Sequence, residues 1–94
     1  MRGTSRRRTR LVFVTSRTSG PARRMESVVA SLQTRRRDRV SVRRIDANAE
    51  AELVSRLGVR EIPTLFLVHG RHRVTRLEGR VTLEELERAL GRHA

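Results

Sequence analysis

Cysteine and lysine are both absent from this chain of 94 residues, and its aromatic side chains are limited to two phenylalanines. Without a thiolate, the protein can form no disulfide, carry out no thiol chemistry and hold no metal ion through sulfur. So few aromatics also offer little surface for stacking nucleic-acid bases. No apolar run approaches the roughly 18 residues of a membrane-spanning helix, and the arginine-rich start lacks the apolar segment of a signal peptide. We therefore expect a cytoplasmic protein with no membrane contact.

Arginine supplies all 22 basic residues, against 10 acidic ones, which gives a net charge of +12. The excess lies in one half of the chain: residues 1–44 carry 14 arginines and 2 acidic residues, whereas residues 45–94 carry 8 of each. Exclusive use of arginine is also typical of a GC-rich genome. Even so, the clusters within Arg6–Arg10 and Arg35–Arg39 could neutralise phosphates, and the charge predicts nonspecific contact with polyanions at low salt.

The chain divides into a polar arm, Met1–Arg10, and a single domain over residues 11–94. The arm has no hydrophobic periodicity and is predicted to be disordered. The domain opens with an apolar strand, Leu11–Val14, and a polar turn, Thr15–Gly20. A helix should then begin at Pro21, because proline suits the first helical position. Its apolar face repeats at helical spacing and comprises Met25, Val28, Val29 and Leu32. A charged turn, Gln33–Arg39, should follow the helix.

Later segments complete the pattern with three strands and two helices. Asn48 is a suitable N-cap for a short helix over Ala49–Leu57, and Gly58 should end that helix in a left-handed conformation. Thr82 and Glu85 have the spacing of a capping box at the start of the final helix. The order is therefore βαβαββα, an α/β domain with a four-stranded mixed sheet flanked by helices. Its later strands are predicted over Val40–Ile45, Leu65–Val68 and Arg73–Leu77.

Three short motifs, placed in order along this pattern, resemble those of the thioredoxin family. Ser19-Gly20-Pro21-Ala22 stands at the strand-to-helix turn, where thioredoxins carry Cys-Gly-Pro-Cys. Ile62-Pro63-Thr64 matches the family's Ile-Pro-Thr, and Gly79 matches a glycine that lines the far side of its substrate groove. The resemblance implies a minimal thioredoxin fold over about residues 11–90 and a cis peptide bond between Ile62 and Pro63.

Departures from the family pattern affect the residues that carry its chemistry. Ser19 and Ala22 replace both thiols, and disulfide exchange requires a thiolate that attacks sulfur. Phe13 stands where family members carry a buried Asp that assists proton transfer, and Thr15 and Thr18 stand where they carry tryptophans. The sequence therefore predicts a redox-inactive member without a cofactor. The enzyme alternative is an oxidoreductase homologue by descent only, which could not perform the reaction unaided.

The resemblance also implies a peptide-binding groove, in which the residue before the cis proline offers its backbone to an extended partner strand. Such main-chain recognition does not need the thiols, so a protein or peptide partner is expected. The alternative, which rests on the arginine clusters, is a nucleic-acid or polyanion-binding protein. The predicted groove residues are Thr18, the turn Ser19–Pro21, Ile62, Pro63, Glu78 and Gly79.

The start of the first helix is a candidate anion site, because its free N–H groups and positive dipole end attract anions. Arg17, Arg23 and Arg24 surround this helix start, where cations are unfavourable unless an anion compensates them. Ser19 would need a neighbouring base to act as a nucleophile, and no metal site is expected either. Neither role finds support in the three histidines of the chain, His69, His72 and His93.

The predicted sheet order is Val40–Ile45, Leu11–Val14, Leu65–Val68 and Arg73–Leu77, so the strand Val40–Ile45 should lie at one edge. Natural proteins protect open edges with charge, and arginines on and beside this strand should repel a second copy. These are Arg39, Arg43 and Arg44. We therefore expect a monomer, which sedimentation at moderate salt would test.

Overall fold

A computed structural model describes residues 9–71 and 73–91 of the chain. They form four strands and three helices in the predicted order βαβαββα. Within the described residues, no helix is both long and apolar enough to cross a lipid bilayer. The elements are β1 (Thr9–Thr15), α1 (Gly20–Arg35), β2 (Val40–Asp46), α2 (Ala51–Arg56), β3 (Thr64–His69), β4 (Arg73–Glu78) and α3 (Leu83–Gly91).

The four strands form one mixed sheet in the predicted order β2-β1-β3-β4. β1 is parallel to β2, with Thr9 opposite Val40 and Thr15 opposite Asp46. β1 is antiparallel to β3, and β3 is antiparallel to β4. Since adjacent parallel strands cannot be joined by a tight turn, α1 supplies the crossover between β1 and β2. The fold class expected from the sequence is confirmed.

Helices cover the two faces of the sheet unequally. α1 and α3 pack on one face, where Met25 and Leu86 meet the inward side chains of β1 and β3. α2 covers part of the other face, over Val14, Ile45 and Phe66. Along β1 and β3, side chains that pack on one face of the sheet alternate with side chains that pack on the other, because successive strand residues point to opposite faces. Burial of each larger aliphatic side chain contributes about 1.5–3 kcal/mol.

β1 begins earlier than predicted, so Thr9 and Arg10 belong to the sheet rather than to a disordered arm. The Thr9 N–H donates a hydrogen bond to the Arg39 carbonyl at 2.7 Å, and Thr9 is 4% exposed. Pairing with strands on both sides extends β1 beyond its apolar run, which hydrophobic periodicity could not show. The rest of the predicted arm, residues 1–8, lies outside the described residues.

α1 is longer than predicted at both ends. It begins at Gly20, which leaves Pro21 at the second helical position, where a missing N–H is equally tolerated. It also continues past Leu32 to Arg35, because residues 33–35 include no glycine or proline. The Arg36 N–H bonds the Leu32 carbonyl at the C-cap. The apolar face is as predicted, with three of its residues buried: Met25, Val29 and Leu32.

The start of α2 differs from its prediction. The helix spans only Ala51–Arg56, and Glu50 rather than Asn48 occupies the N-cap position, without a side-chain hydrogen bond. The Asp46 carboxylate instead accepts hydrogen bonds from the N–H groups of Asn48 and Ala49, at 2.8 and 3.3 Å. This local turn satisfies the N–H groups of Asn48 and Ala49, which both lie outside the helix, and Asn48 does not act as a cap.

The end of α2 agrees with its prediction. Gly58 has a φ of 70°, a left-handed conformation that favours glycine. The Gly58 N–H bonds the Ser55 carbonyl at 3.1 Å, and the Val59 N–H bonds the Val54 carbonyl at 3.3 Å. These are the paired bonds of a Schellman motif, which satisfies carbonyls that a helix end leaves free.

α3 begins with the predicted capping box. The Thr82 hydroxyl accepts a hydrogen bond from the Glu85 N–H at 3.0 Å, and the Glu85 carboxylate accepts one from the Thr82 N–H at 2.8 Å. Farther along α3, Glu87 contacts the end of α1. Its carboxylate accepts hydrogen bonds from Arg36 at 3.0 Å and from Arg35 at 3.4 Å, which joins the two helices on the same face of the sheet.

β2 forms one edge of the sheet, as predicted. Arg43 on this strand pairs with Glu50 at 3.2 Å, and Arg44 pairs with Glu26 at 3.1 Å. Arg39 is exposed. Part of the repulsion expected between two copies is therefore compensated within each copy, and the monomeric state stays a prediction.

Replacing Glu87 with glutamine should destabilise the protein in a pH-dependent way. The hydrogen bond from Arg36, helped by the charges of Arg36 and Arg35, lowers the pKa of Glu87 from its ordinary value of 4.5, although burial opposes this shift. The folded state therefore holds this proton less tightly than the unfolded state. The stabilisation is fully present above pH 4.5 and is lost as the pH falls through the folded pKa.

Urea denaturation should show the largest difference between the wild type and Glu87→Gln at neutral pH, and the difference should shrink on acidification. Glu84→Gln is the matched control, because Glu84 lies in the same helix and is exposed, without an ion-pair partner among the described residues. A difference for Glu87→Gln that does not change with pH would contradict the role of the ion pair.

Ser19→Ala should destabilise the protein by about 1 kcal/mol, the usual cost of losing an N-cap. Ser19 stands at the N-cap of α1, and its hydroxyl accepts the Ala22 N–H at 3.1 Å. Ser31→Ala, at an exposed position within the same helix, should be neutral or slightly stabilising, because alanine is the better helix former. Chemical denaturation of both variants measures the difference, and equal effects would show that the Ser19 hydroxyl is not a stabilising cap.

Candidate functional site

The turn between β1 and α1 is organised by Ser16, which directly follows β1. The Ser16 carbonyl accepts the Ser19 N–H at 3.2 Å. The Ser16 hydroxyl lies 2.9 Å from the Thr18 hydroxyl and accepts a hydrogen bond from the Thr18 N–H at 3.2 Å. Ser16 is 7% exposed, so the turn is held from inside by a buried serine. No sequence motif singles this residue out.

The two positions that carry thiols in the family have structural roles here. Ser19 caps α1, and the Ala22 side chain is fully buried. A nucleophilic serine would need a base within hydrogen-bond reach. His69 lies at the opposite end of the sheet, paired with Thr9, while two other histidines lie outside the described residues. Within the described residues, the turn therefore offers no nucleophile with an adjacent histidine base.

The segment before β3 forms the second part of the candidate site. The peptide bond between Ile62 and Pro63 is cis, as the resemblance implies. The Pro63 carbonyl accepts the Gly79 N–H at 2.8 Å, and this bond joins the segment to the end of β4. The Thr64 hydroxyl donates to the Glu61 carbonyl. Pro63 is buried and Ile62 is half-buried, so the segment lies against the body of the domain.

Glu61 and Gly79 meet at the third part of the site. Gly79 has a φ of +77°, and a Cβ atom there would lie 2.8 Å from Glu61 Oε2. Any other residue would have to adopt a left-handed conformation and also displace the Glu61 carboxylate. Glu61 is not among the predicted site residues. Its position directly before the Ile-Pro-Thr motif is the one signal that could have drawn attention to it.

Glu78, which was expected to line the groove, is held in ion pairs. Its carboxylate lies 2.9 Å from Arg76 Nε and 3.6 Å from the Arg60 guanidinium. Arg76 also donates hydrogen bonds to the carbonyls of Leu57 and Gly58. Arg76 thus ties β4 to the end of α2, a role that alternation along a strand does not reveal.

Strand register brings these parts to one end of the sheet. Val14, near the end of β1, pairs with Thr64 at the start of β3, and Thr64 pairs with Glu78 at the end of β4. The turn after β1, the segment before β3 and the residue after β4 therefore leave the sheet together. We call this the groove end, because it holds all the predicted groove residues: Thr18, Ser19–Pro21, Ile62, Pro63, Glu78 and Gly79.

Arginines at the groove end are accompanied by acidic residues. Arg17 and Arg23 line an open depression of about 320 Å³, which Glu26 and Asp46 also line. Arg17 lies 4.0 Å from the Asp46 carboxylate, whereas Arg24 lies over the first turn of α1. No group of three or more His, Asp or Glu side chains in the described part of the chain could hold a metal ion. The anion site stays a prediction.

Comparison with known proteins agrees with this geometry. The family model described as Thioredoxin matches residues 4–92. A curated thioredoxin from Alicyclobacillus acidocaldarius is 34% identical over 71 residues, which cover 76% of this chain and 68% of that protein. Chloroplastic thioredoxin z superposes with a TM-score of 0.86 at 21% identity, covering 94% of this chain and 80% of that one. The Deadhead thioredoxin of Drosophila melanogaster has a TM-score of 0.83 at 24% identity, with 94% and 83% covered.

The two solved structures, at 21% and 24% identity, show that this chain shares their fold. The family-model match and the Alicyclobacillus relative reach further, because they rest on sequence over most of the chain. On these grounds the chain belongs to the thioredoxin family.

Proposed function

We propose that this chain is a redox-inactive thioredoxin-like domain that binds an extended protein or peptide segment at the groove end. The observation that carries the proposal is the loss of both thiols from a site whose other parts are retained. No cysteine occurs in the 94 residues, while the capped turn, the cis proline and Gly79 are all present.

Disulfide exchange proceeds through a mixed disulfide, which only a thiolate can form. Neither Ser19 nor Ala22 supplies a thiol. Phe13, at the position of the family's proton-transferring Asp, is fully buried and cannot accept a proton. The chemical loss thus extends beyond the two thiols, which favours a domain retained for binding over a damaged enzyme.

Unpaired backbone groups at the groove end support binding of an extended segment. Within the described residues, neither the N–H nor the C=O of Ile62 has a hydrogen-bond partner. Free main-chain donors and acceptors beside a sheet are the groups that an added peptide strand uses. This recognition depends on the backbone, so the identities of residues 19 and 22 do not affect it.

Side chains around the groove end indicate which segment would be favoured. Arg23 and Arg24 are exposed and lack ion-pair partners in the described part of the chain, whereas Glu78 is already neutralised by ion pairs. A carboxylate or phosphate on the partner, near the start of α1, would compensate these arginines and meet the positive end of the helix dipole. Anion binding by Arg17, Arg23 and Arg24 is thus part of the proposal.

The purified chain should show no disulfide reductase activity. With insulin as substrate and dithiothreitol as reductant, reduction should be no faster than with dithiothreitol alone, because no residue can form a mixed disulfide. The double variant Ser19→Cys/Ala22→Cys restores a dithiol at the same helix start. It should reduce insulin faster than the single variant Ser19→Cys, which lacks a resolving thiol. Turnover by the unmodified chain would refute redox inactivity.

Random linear peptides displayed on phage and selected on the immobilised chain should include ligands that bind at the groove end. Thr18→Glu places a negative charge beside the Ser19 turn, where the proposed partner carries a carboxylate or phosphate, and should weaken the selected peptides about tenfold, or about 1.4 kcal/mol. Pro63→Ala should also weaken them. Thr34→Glu is the matched control, because it makes the same exchange at an exposed position near the far end of α1.

Circular dichroism of each variant establishes that it is folded. Affinity that falls in Thr18→Glu and is unchanged in Thr34→Glu would support the groove. Equal affinity in all variants, or failure to enrich any peptide, would overturn the assignment of a binding groove.

A further inference from the structure

The end of the sheet opposite the groove end collects arginines from separate parts of the chain. Thr9 opens β1 there and pairs with Val40 at the start of β2 and with His69 at the end of β3. The turn between α1 and β2 and the turn after β3 therefore flank the first residues of β1. We call this surface the basic end, defined by Arg10, Arg35–Arg37, Arg39 and Arg71.

Arginines of the basic end fall into two classes. Arg35 and Arg36 form ion pairs with the Glu87 carboxylate, and Arg35 Nη1 lies 3.4 Å from Glu87 Oε2. Asp38, in the turn between α1 and β2, offsets one of the remaining charges. Four others are exposed and, within the described residues, have no ion-pair partner: Arg10, Arg37, Arg39 and Arg71.

The paired arginines hold the backbone that carries the free ones. The Arg36 carbonyl accepts the N–H groups of Arg39 and Val40, both at 2.8 Å. The Arg36 guanidinium binds Glu87 of α3 at 3.0 Å, and the Arg39 carbonyl accepts the Thr9 N–H. The turn is thus anchored to α3 and to β1. Side chains on such an ordered backbone lose less conformational entropy on binding than those on a mobile segment.

Two classes of anionic partner fit this surface poorly. Phe13 and Phe66, the two phenylalanines of the chain, are 0% and 8% exposed, so neither offers a platform on which single-stranded bases could stack. Val74, at 58%, is the exposed large apolar side chain among the described residues. One valine provides too little apolar surface for insertion at a membrane interface.

We propose that the basic end binds the phosphate backbone of double-stranded nucleic acid without reading its bases. A duplex presents about one negative charge per 1.7 Å of helix axis, and guanidinium groups bind phosphate oxygens through paired N–H donors. Free arginines from separate turns suit this repeated charge better than they suit one small anion. Three more arginines, Arg6–Arg8, directly precede Thr9 in the sequence. Because the groove end is not involved, this binding is independent of the proposed peptide binding.

Two triple variants of equal net charge test the proposal by fluorescence anisotropy of a short labelled DNA duplex. One removes free arginines of the basic end: Arg37→Gln, Arg39→Gln and Arg71→Gln. The other, the control variant, removes three exposed arginines that lie outside the basic end and outside the proposed anion site: Arg56→Gln, Arg60→Gln and Arg80→Gln.

The basic-end variant should bind about tenfold or more weakly at about 50 mM salt, because neutralised phosphates supply most nonspecific affinity. The slope of log affinity against log salt concentration should be smaller by about 2–3 than that of the wild type, since each phosphate contact contributes about 0.9 to the slope. The control variant should stay within about twofold of the wild type, because its three arginines lie outside the proposed contact surface. If the triple variant does not fold, Arg37→Gln and Arg71→Gln, in separate turns, should each lower the slope by about 1.

Equal losses in the two triple variants would overturn the proposal, because net charge alone would then explain the binding. A larger loss in the control variant would also overturn it, because the phosphate contacts would then lie outside the basic end. Absence of duplex binding by the wild type would refute the proposal directly. Tighter binding to phosphatidylserine vesicles than to the duplex at the same salt would identify a membrane partner instead.

Discussion

β1 is hydrogen-bonded on both sides, in parallel to β2 and antiparallel to β3, and both ends of the molecule depend on this double pairing. The pairing of Val14 with Thr64 brings the turn after β1 to the segment before β3. The pairing of Thr9 with His69 brings two arginine-bearing turns together at the other end. A slip of one residue would exchange the faces of every side chain in the strand. Fully buried Phe13 would then be displaced from the core under α1, which makes the register specific.

Elements with short-range signals could be predicted from the sequence. Thr82 and Glu85 bond each other's backbone over one helical turn, so their spacing alone identifies the start of α3. Gly58 ends α2 through bonds to residues of the preceding turn. The site could be assembled only through the family resemblance, because Ser19–Ala22 and Ile62–Thr64 are distant in sequence and no local pattern shows that they lie at one end of the sheet.

Contacts between distant residues account for what the sequence did not show. The extension of β1 to Thr9 depends on a hydrogen bond to Arg39, and the tie between α1 and α3 depends on Glu87. Counting charges along the sequence likewise does not show which of them are paired with distant residues. Arg43 belongs to the basic half of the chain, yet Glu50 of the balanced half neutralises it. Each exposed pair stabilises little; the larger consequence of such pairs is to decide which guanidinium groups are left for partners.

α2 is held differently from the other helices. It has six residues, none of them buried, and helices so short are not stable by themselves in water. Arg76 binds the carbonyls at its end while lying 5.3 Å from the centre of the Phe66 ring. α2 should therefore be a separate unit of local unfolding, which opens at a lower free energy than the sheet and which amide hydrogen exchange reports. Ile62 and Pro63 follow α2 closely, so one wall of the proposed groove is attached to the part of the molecule that should open first.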